Sequence, residues 1–411
     1  MLYFQRKVLT LRMKSCFYQL RTAIRLLGVI GSVCIGLLAI TLSGCDKSEI
    51  TDTTPISTIP TAATVTTPPS VTVTTPVVYV ASFDNHLYAL DTTTGTQRWA
   101  FRADTSIQSS PIVAYGMVYV GSNDYNLYAL DAATGQKRWS FRTGGIVYSS
   151  PVVSRGIVYV GSQDGKLYAL DATTGGLLWL FSTQFGFYSS PAVANDMVYI
   201  GGQDNQVYAL DAATGRLRWR FKTQYFVLSS PTVANGVLYI GSQDTNLYAL
   251  DAATGKLKWT FKTGSTIDSS PVVANGLIYV GSADTKLYAI EETSGQQRWS
   301  FKTNHVIYGS PVVANGVVYV GSRDHTLYAF DATTGKQRWG FTTAFDIYST
   351  PMVTNGTVYI GSNDNNLYAI NALTGQQRWR FNTGGIVISS PVIAQRSVIA
   401  GIYPTVSGGN K

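Results

Sequence analysis

Written in rows of 40, the chain from residue 77 onward repeats one alternation of apolar and polar positions without a gap. The unit runs approximately Ser-Ser-Pro-Val-Val, Val-Tyr-Val-Gly-Ser, Leu-Tyr-Ala-Leu and Arg-Trp-x-Phe, which residues 109–141 match with Ile112 for the first Val. Turn residues separate the runs: Asn-Gly after the first, Asp-x-x-Thr-Gly after the third. Four short apolar runs bounded in this way predict four strands, here called A to D. No window has the spacing of an amphipathic helix. All eight tryptophans share one column: Trp99, Trp139, Trp179, Trp219, Trp259, Trp299, Trp339 and Trp379. Eight prolines share another, from Pro111 to Pro391. Eight copies of a four-stranded unit predict an all-β fold, an eight-bladed β-propeller of four-stranded antiparallel blades with 40-residue repeats.

Turn chemistry supports that parse. Asn-Gly at 235–236, 275–276, 315–316 and 355–356 suits a type I′ hairpin, whose central residues both need positive φ. In Asp-x-x-Thr-Gly the carboxylate accepts backbone N–H groups and glycine supplies a left-handed residue. A proline in strand A fits the inner edge of a blade, where a missing N–H is tolerated. Basic residues on strand D, such as Arg138 and Arg218, suit the outer edge, where charge discourages strand-to-strand aggregation. The first unit has clear B, C and D strands but a poor A strand at 70–74. The chain ends with a good one at 389–393, so the last segment is expected to complete the first blade. Residues 397–402 look like a leftover B strand competing with 77–80, and the sequence leaves that pairing open.

Composition changes the picture mainly at the amino terminus. The formal charge of +8 comes largely from residues 1–44, which carry six basic residues and no acid. Without them 25 basic and 23 acidic residues remain, a net +2 with no electrostatic footprint for nucleic acid. The basic stretch precedes an apolar run over 26–42 that ends in Leu42-Ser43-Gly44-Cys45, which resembles a bacterial lipobox. Residues 1–44 therefore read as a lipoprotein signal peptide, with Met13 an alternative start, and Cys45 as the lipidated residue. The next 31 residues (46–76) are rich in Thr and Pro and would span up to ~100 Å as a tether. This gives a domain order of 45–76 lipidated linker, 77–403 propeller and 404–411 tail. No cysteine follows position 45, which excludes a disulfide scaffold and thiolate metal sites in the repeats.

The run Ala-Leu-Asp-x-x-Thr-Gly-x-x-x-Trp, as at 129–139 and 249–259, resembles the tryptophan-docking repeat of the PQQ-type quinoprotein propellers. A WD40 repeat would need Gly-His and Trp-Asp pairs, and neither occurs. The resemblance spans 77–395 and departs only locally, at Glu291, Ser294 and Asn371. It implies that the eight tryptophans pack between blades as structural residues. In the enzymes of that family the quinone and a Ca²⁺ are held by a vicinal cysteine pair, acidic ligands and a catalytic Asp in long insertions. This chain has no such pair and no insertions, so neither catalysis nor a PQQ cofactor is expected. Signal, lipobox and eight plain blades resemble the BamB-like lipoprotein propellers, scaffolds in outer-membrane β-barrel assembly. Asp46 departs from that picture, since Asp at this place resembles an inner-membrane retention signal.

The blades differ from one another in two windows, the D–A connection and the B–C loop, which alternation of strand direction places on one face of the ring. That rim carries aromatics expected to bind a protein or peptide partner: Tyr148, Phe185, Phe187, Tyr188, Tyr225, Phe226, Tyr308, Phe345 and Tyr348. The Asp of each B–C loop recurs in every blade, from Asp84 to Asp364, and reads as a turn former. His305 and His325 sit in loops beside Asp324 without an orienting motif and read as solvated, so no metal is expected. Nucleotide and hydrolase motifs are absent from the sequence. The expected protein is a monomeric, lipid-anchored, non-catalytic scaffold of the cell envelope. A quinone-binding redox protein and a carbohydrate- or wall-binding module are the alternatives.

Overall fold

The computed structural model describes residues 76–394. The signal segment, Cys45, the tether, the leftover strand and the tail lie outside the described residues. Eight separate four-stranded antiparallel sheets follow one another along the chain. Each runs A to D in sequence order except the first, where Gln97–Arg102, His86–Asp91 and Val77–Ala81 are joined by Val392–Ile393 from the other end. Val78 pairs with Ile393 and Tyr79 with Val392, so the ring closes within one blade. Among the described residues there is no helix, and none is long and apolar enough to cross a membrane.

Strand A is shorter than its apolar pattern suggests. In the second blade it covers only Ile112–Ala114 and starts after Pro111. The Ser-Ser pair before each proline is occupied differently. Ser109 Oγ accepts the N–H of Gly121 within its own blade (3.2 Å), and Ser110 N–H donates to Ser150 Oγ of the next (2.9 Å). The second bond recurs from blade to blade, through Ser190, Ser230, Ser270, Ser310 and Thr350, until Ser390 N–H donates to Ser110 Oγ at 2.8 Å. Eight hydroxyls thus form a closed circuit around the axis.

The core lies between blades. Strands B and C are buried almost throughout, while D alternates. Tyr79 and Leu87 of the first blade pack in one cluster with Val118, Val120 and Leu130 of the second. Across the same seam Trp99 Nε1 (3.1 Å) and Tyr79 Oη (2.8 Å) donate to a single carbonyl, that of Ala132. The last seam repeats the device, with Trp379 and Tyr359 both donating to Thr92 O. Gly135 is left-handed (φ 74°), and a Cβ there would sit 2.7 Å from the Trp99 ring, so Thr-Gly is both a turn and a docking floor. The Asn-Gly pairs have positive φ at both residues, for example 50° and 74° at Asn235 and Gly236, as a type I′ turn requires.

Candidate functional site

The loops of the D–A and B–C face are held by a few repeated bonds. Asp124 Oδ1 accepts the N–H of Asn126 (3.0 Å), and its Oδ2 accepts Tyr128 Oη (2.8 Å) and, from the preceding D–A loop, Asp104 N–H (3.1 Å). Asp164, Asp244, Asp284, Asp324 and Asp364 each take a D–A backbone N–H in the same way. These carboxylates are thereby committed to joining loops of neighbouring blades. A threonine then fixes the loop apex: Thr183 Oγ1 donates to Phe185 O, Thr223 Oγ1 to Tyr225 O and Thr343 Oγ1 to Phe345 O, each at 2.7 Å.

The aromatics at those apices point into solvent. Phe185 is 55% exposed, Tyr225 53% and Phe345 59%, against 36% for Phe226, whose ring packs 4.9 Å from that of Tyr225. Tyr125 is also exposed, with the Arg142 guanidinium 5.6 Å from its ring centroid. Phe187 is placed differently. It is fully buried, and its Cβ lies where a side chain on Gly161 would go, so it plugs its blade and is no part of the exposed set. Val147, Val227, Ile267, Ile307, Ile347 and Val387 fill the same place in other blades. An apolar residue in every row of that column was the signal for core.

One position further on, the rim turns into the mouth of the channel. Here the order around the ring is Ile388, Gln108, Tyr148, Tyr188, Leu228, Asp268, Tyr308 and Tyr348. Tyr148 and Tyr188 pair at 5.2 Å between centroids, and Tyr308 and Tyr348 stack at 5.7 Å. The two pairs lead into blades four steps apart, on opposite sides of an eightfold ring. Tyr188 is 42% exposed as a residue, while burial of its phenol pushes it above its ordinary value, with Tyr148, Asp268 and Tyr348 pushing the same way. Burial also raises the Asp268 carboxyl, against a 3.1 Å hydrogen bond from Gln243 Nε2. Arg323 pairs with Asp346 (2.7 Å) and places its guanidinium 5.4 Å from the Tyr348 ring. Asp268, Gln243 and Arg323 escaped the sequence-based set because aromatic type was followed there, whereas the signal lay in the column.

The histidines are not brought together. His305 Nδ1 accepts the Val306 N–H, while His325 Nε2 lies 3.2 Å from Asp346 Oδ1. Among the described residues no group of three His, Cys, Asp or Glu is placed to hold a metal ion.

Known proteins place this geometry in context. A model of the beta-propeller of the beta-alanine-activating enzyme matches residues 192–407, and one of outer membrane protein assembly factor BamB matches 52–179 and 142–230. No curated protein matches the chain in sequence. Among solved structures, BamB from Moraxella catarrhalis is similar at a TM-score of 0.64 and 20% identity, over 72% of this chain and 93% of that one. A europium-containing methanol dehydrogenase is similar at a TM-score of 0.62 and 15% identity (71% and 81% covered). The quinohemoprotein alcohol dehydrogenase from Comamonas testosteroni follows at 0.59 and 17% (69% and 68% covered). At such identities the structures share a fold, and that fold serves both an assembly factor and dehydrogenases. With one model matching more than half of its length, the chain belongs to the β-propeller family which that model describes, and its blades are the PQQ-type, BamB-like repeat.

Proposed function

We propose that this chain is a lipid-anchored propeller of the cell envelope that works as a non-catalytic scaffold and binds a protein partner on its D–A and B–C rim. The observation that carries the reading is the set of exposed aromatics at loop apices, Phe185, Tyr225, Phe226 and Phe345, on a backbone pinned by threonine bonds. Rigid aromatics in water are costly without a partner and are enriched where proteins meet. The opposite face varies less, with Asn-Gly at four of its A–B tips, and its large apolar side chains are scattered singly, as with Leu373 in one C–D turn. Similarity to BamB, a protein named for outer membrane protein assembly, supports a protein partner and an envelope location. Cys45 in its lipobox-like context supports the lipid anchor.

Photo-cross-linking in the native cell tests the reading. A benzophenone amino acid at Tyr225 is expected to trap a discrete polypeptide, and one at Asn275 on the other face is not. Equal cross-linking from both faces, or none from the rim, contradicts the proposal. In the same cells, Phe185→Ser with Tyr225→Ser should reduce the amount of trapped partner from a probe at Phe345 about tenfold or more, as for loss of two interface anchors.

A further inference from the structure

We propose that the channel mouth between Tyr148, Tyr188 and Asp268 is a binding site for an organic cation, an ammonium or guanidinium group. Two features of the mouth carry this. First, it holds two tyrosine pairs on opposite sides, and the protein already places a cation of its own at one of them. Arg323 lies 5.4 Å from the Tyr348 ring, beside Tyr308 and neutralised by Asp346 at 2.7 Å. The Tyr148–Tyr188 rings are as close, 5.2 Å between centroids, though tilted by 39° where Tyr308 and Tyr348 stack at 11°, and Gln163, at the position corresponding to Arg323, is neutral and donates to Phe187 O. Second, Asp268 supplies a carboxylate to that mouth without a cation of its own. Its hydrogen-bond partner is the neutral Gln243, and no ion pair holds it among the described residues.

The chemistry favours one ligand class. Tyrosine faces are negative and attract a cation, the more so when it is partly desolvated. A carboxylate surrounded by protein and compensated by one amide bond is costly to keep ionised, and an incoming positive charge lowers that cost. An anion would meet Asp268 and is disfavoured. A neutral apolar ligand would leave the carboxylate more deeply buried. The cation can be a free amine or the tip of a lysine or arginine side chain from a peptide, and the site chemistry is the same for both.

Calorimetric titration of the full-length protein tests this with two probes, tetramethylammonium and the peptide Gly-Gly-Lys-Gly-Gly. At least one is expected to bind with one-to-one stoichiometry, and which of them binds more tightly identifies the source. The norleucine analogue of the peptide and tert-butanol, neutral counterparts of similar shape, should fail to bind. Asp268→Asn, close in shape to the original, should weaken the cation about tenfold or more, and Tyr188→Leu should weaken it several-fold. If Tyr188→Leu disturbs folding, Asp268→Asn decides alone. Absence of binding by both cations, equal binding of the neutral analogues, or unchanged affinity in Asp268→Asn overturns the proposal. Cation titration and rim cross-linking are separate readouts, so this site and the partner rim stand or fall independently.

Discussion

Two glycines with the same backbone angle show how much of this fold rests on single positions. Gly135 and Gly236 both have φ of 74°, but a Cβ on Gly135 meets the Trp99 ring at 2.7 Å, while one on Gly236 has nothing within 4 Å. Gly236→Ala should therefore cost about 1–2 kcal/mol, the backbone penalty alone. Gly135→Ala adds a clash with a docked indole and should cost about 2–5 kcal/mol in urea unfolding. Equal costs would mean that the tryptophan yields freely. A second residue-level prediction concerns Asp331. Its hydrogen bond from Arg338 holds the carboxyl well below its ordinary value of 3.8, at about 2. A depressed folded value gives stability that is present above the unfolded pKa and lost as pH falls from about 4 towards 2. Arg338→Gln should flatten the fall in melting temperature across that window, and an unchanged acid limb would show that the pair contributes nothing. Residue roles were legible where chemistry repeats, as with the turn Asp and Gly. They were illegible where one column mixes types, as with Phe187 among valines and isoleucines or Asp268 among tyrosines.

Strands B, C and D were legible because each combines an apolar run with flanking turn residues. Strand A was overextended by the same reasoning. Its Ser-Ser-Pro start reads as part of the strand, but the serines leave the blade's own ladder to bond Gly121 N–H and the neighbouring blade's hydroxyl. Seam bonds of this kind join residues 40 apart, and nothing in a local window signals them. The closed first blade has its own form of the within-blade serine bond, in which Ser389 Oγ accepts Ala81 N–H at 3.0 Å and donates to Ala81 O at 2.7 Å, both buried. Ser389→Ala removes both and should destabilise the protein by about 1–3 kcal/mol, seen as a lower urea midpoint. No change would place the closure elsewhere. Strands B and C also carry buried tyrosines. Burial pushes Tyr199, Tyr279, Tyr328 and Tyr368 up from 10.0 to about 12. Raised folded values give stability that is full below about pH 10 and lost as pH climbs through 12. The melting temperature should accordingly hold to about pH 10 and then drop steeply, together with the appearance of tyrosinate absorbance. Ionisation of these buried tyrosines near pH 10 in a still-folded protein, beyond the signal of exposed ones such as Tyr125 and Tyr225, would contradict this burial.

For the whole molecule, the period of 40 was enough to give blade number, strand order and the closing of the first blade by the last segment, because a solenoid of identical units has few ways to end. The same regularity hides function. Eight near-identical blades make a symmetric frame, and both proposed binding surfaces lie where that symmetry breaks, at Phe185, Tyr225 and Phe345 on the apices and at Asp268 in the mouth. The fold is shared by an assembly factor and by dehydrogenases, so the choice rests on what the rim and the channel hold. Native mass spectrometry of the protein gently extracted from its native cells tests that choice most directly. A polypeptide retained in fixed stoichiometry, and released by Phe185→Ser with Tyr225→Ser, is the predicted result. A bare chain carrying a quinone and calcium instead would contradict the scaffold and move the functional centre into the channel.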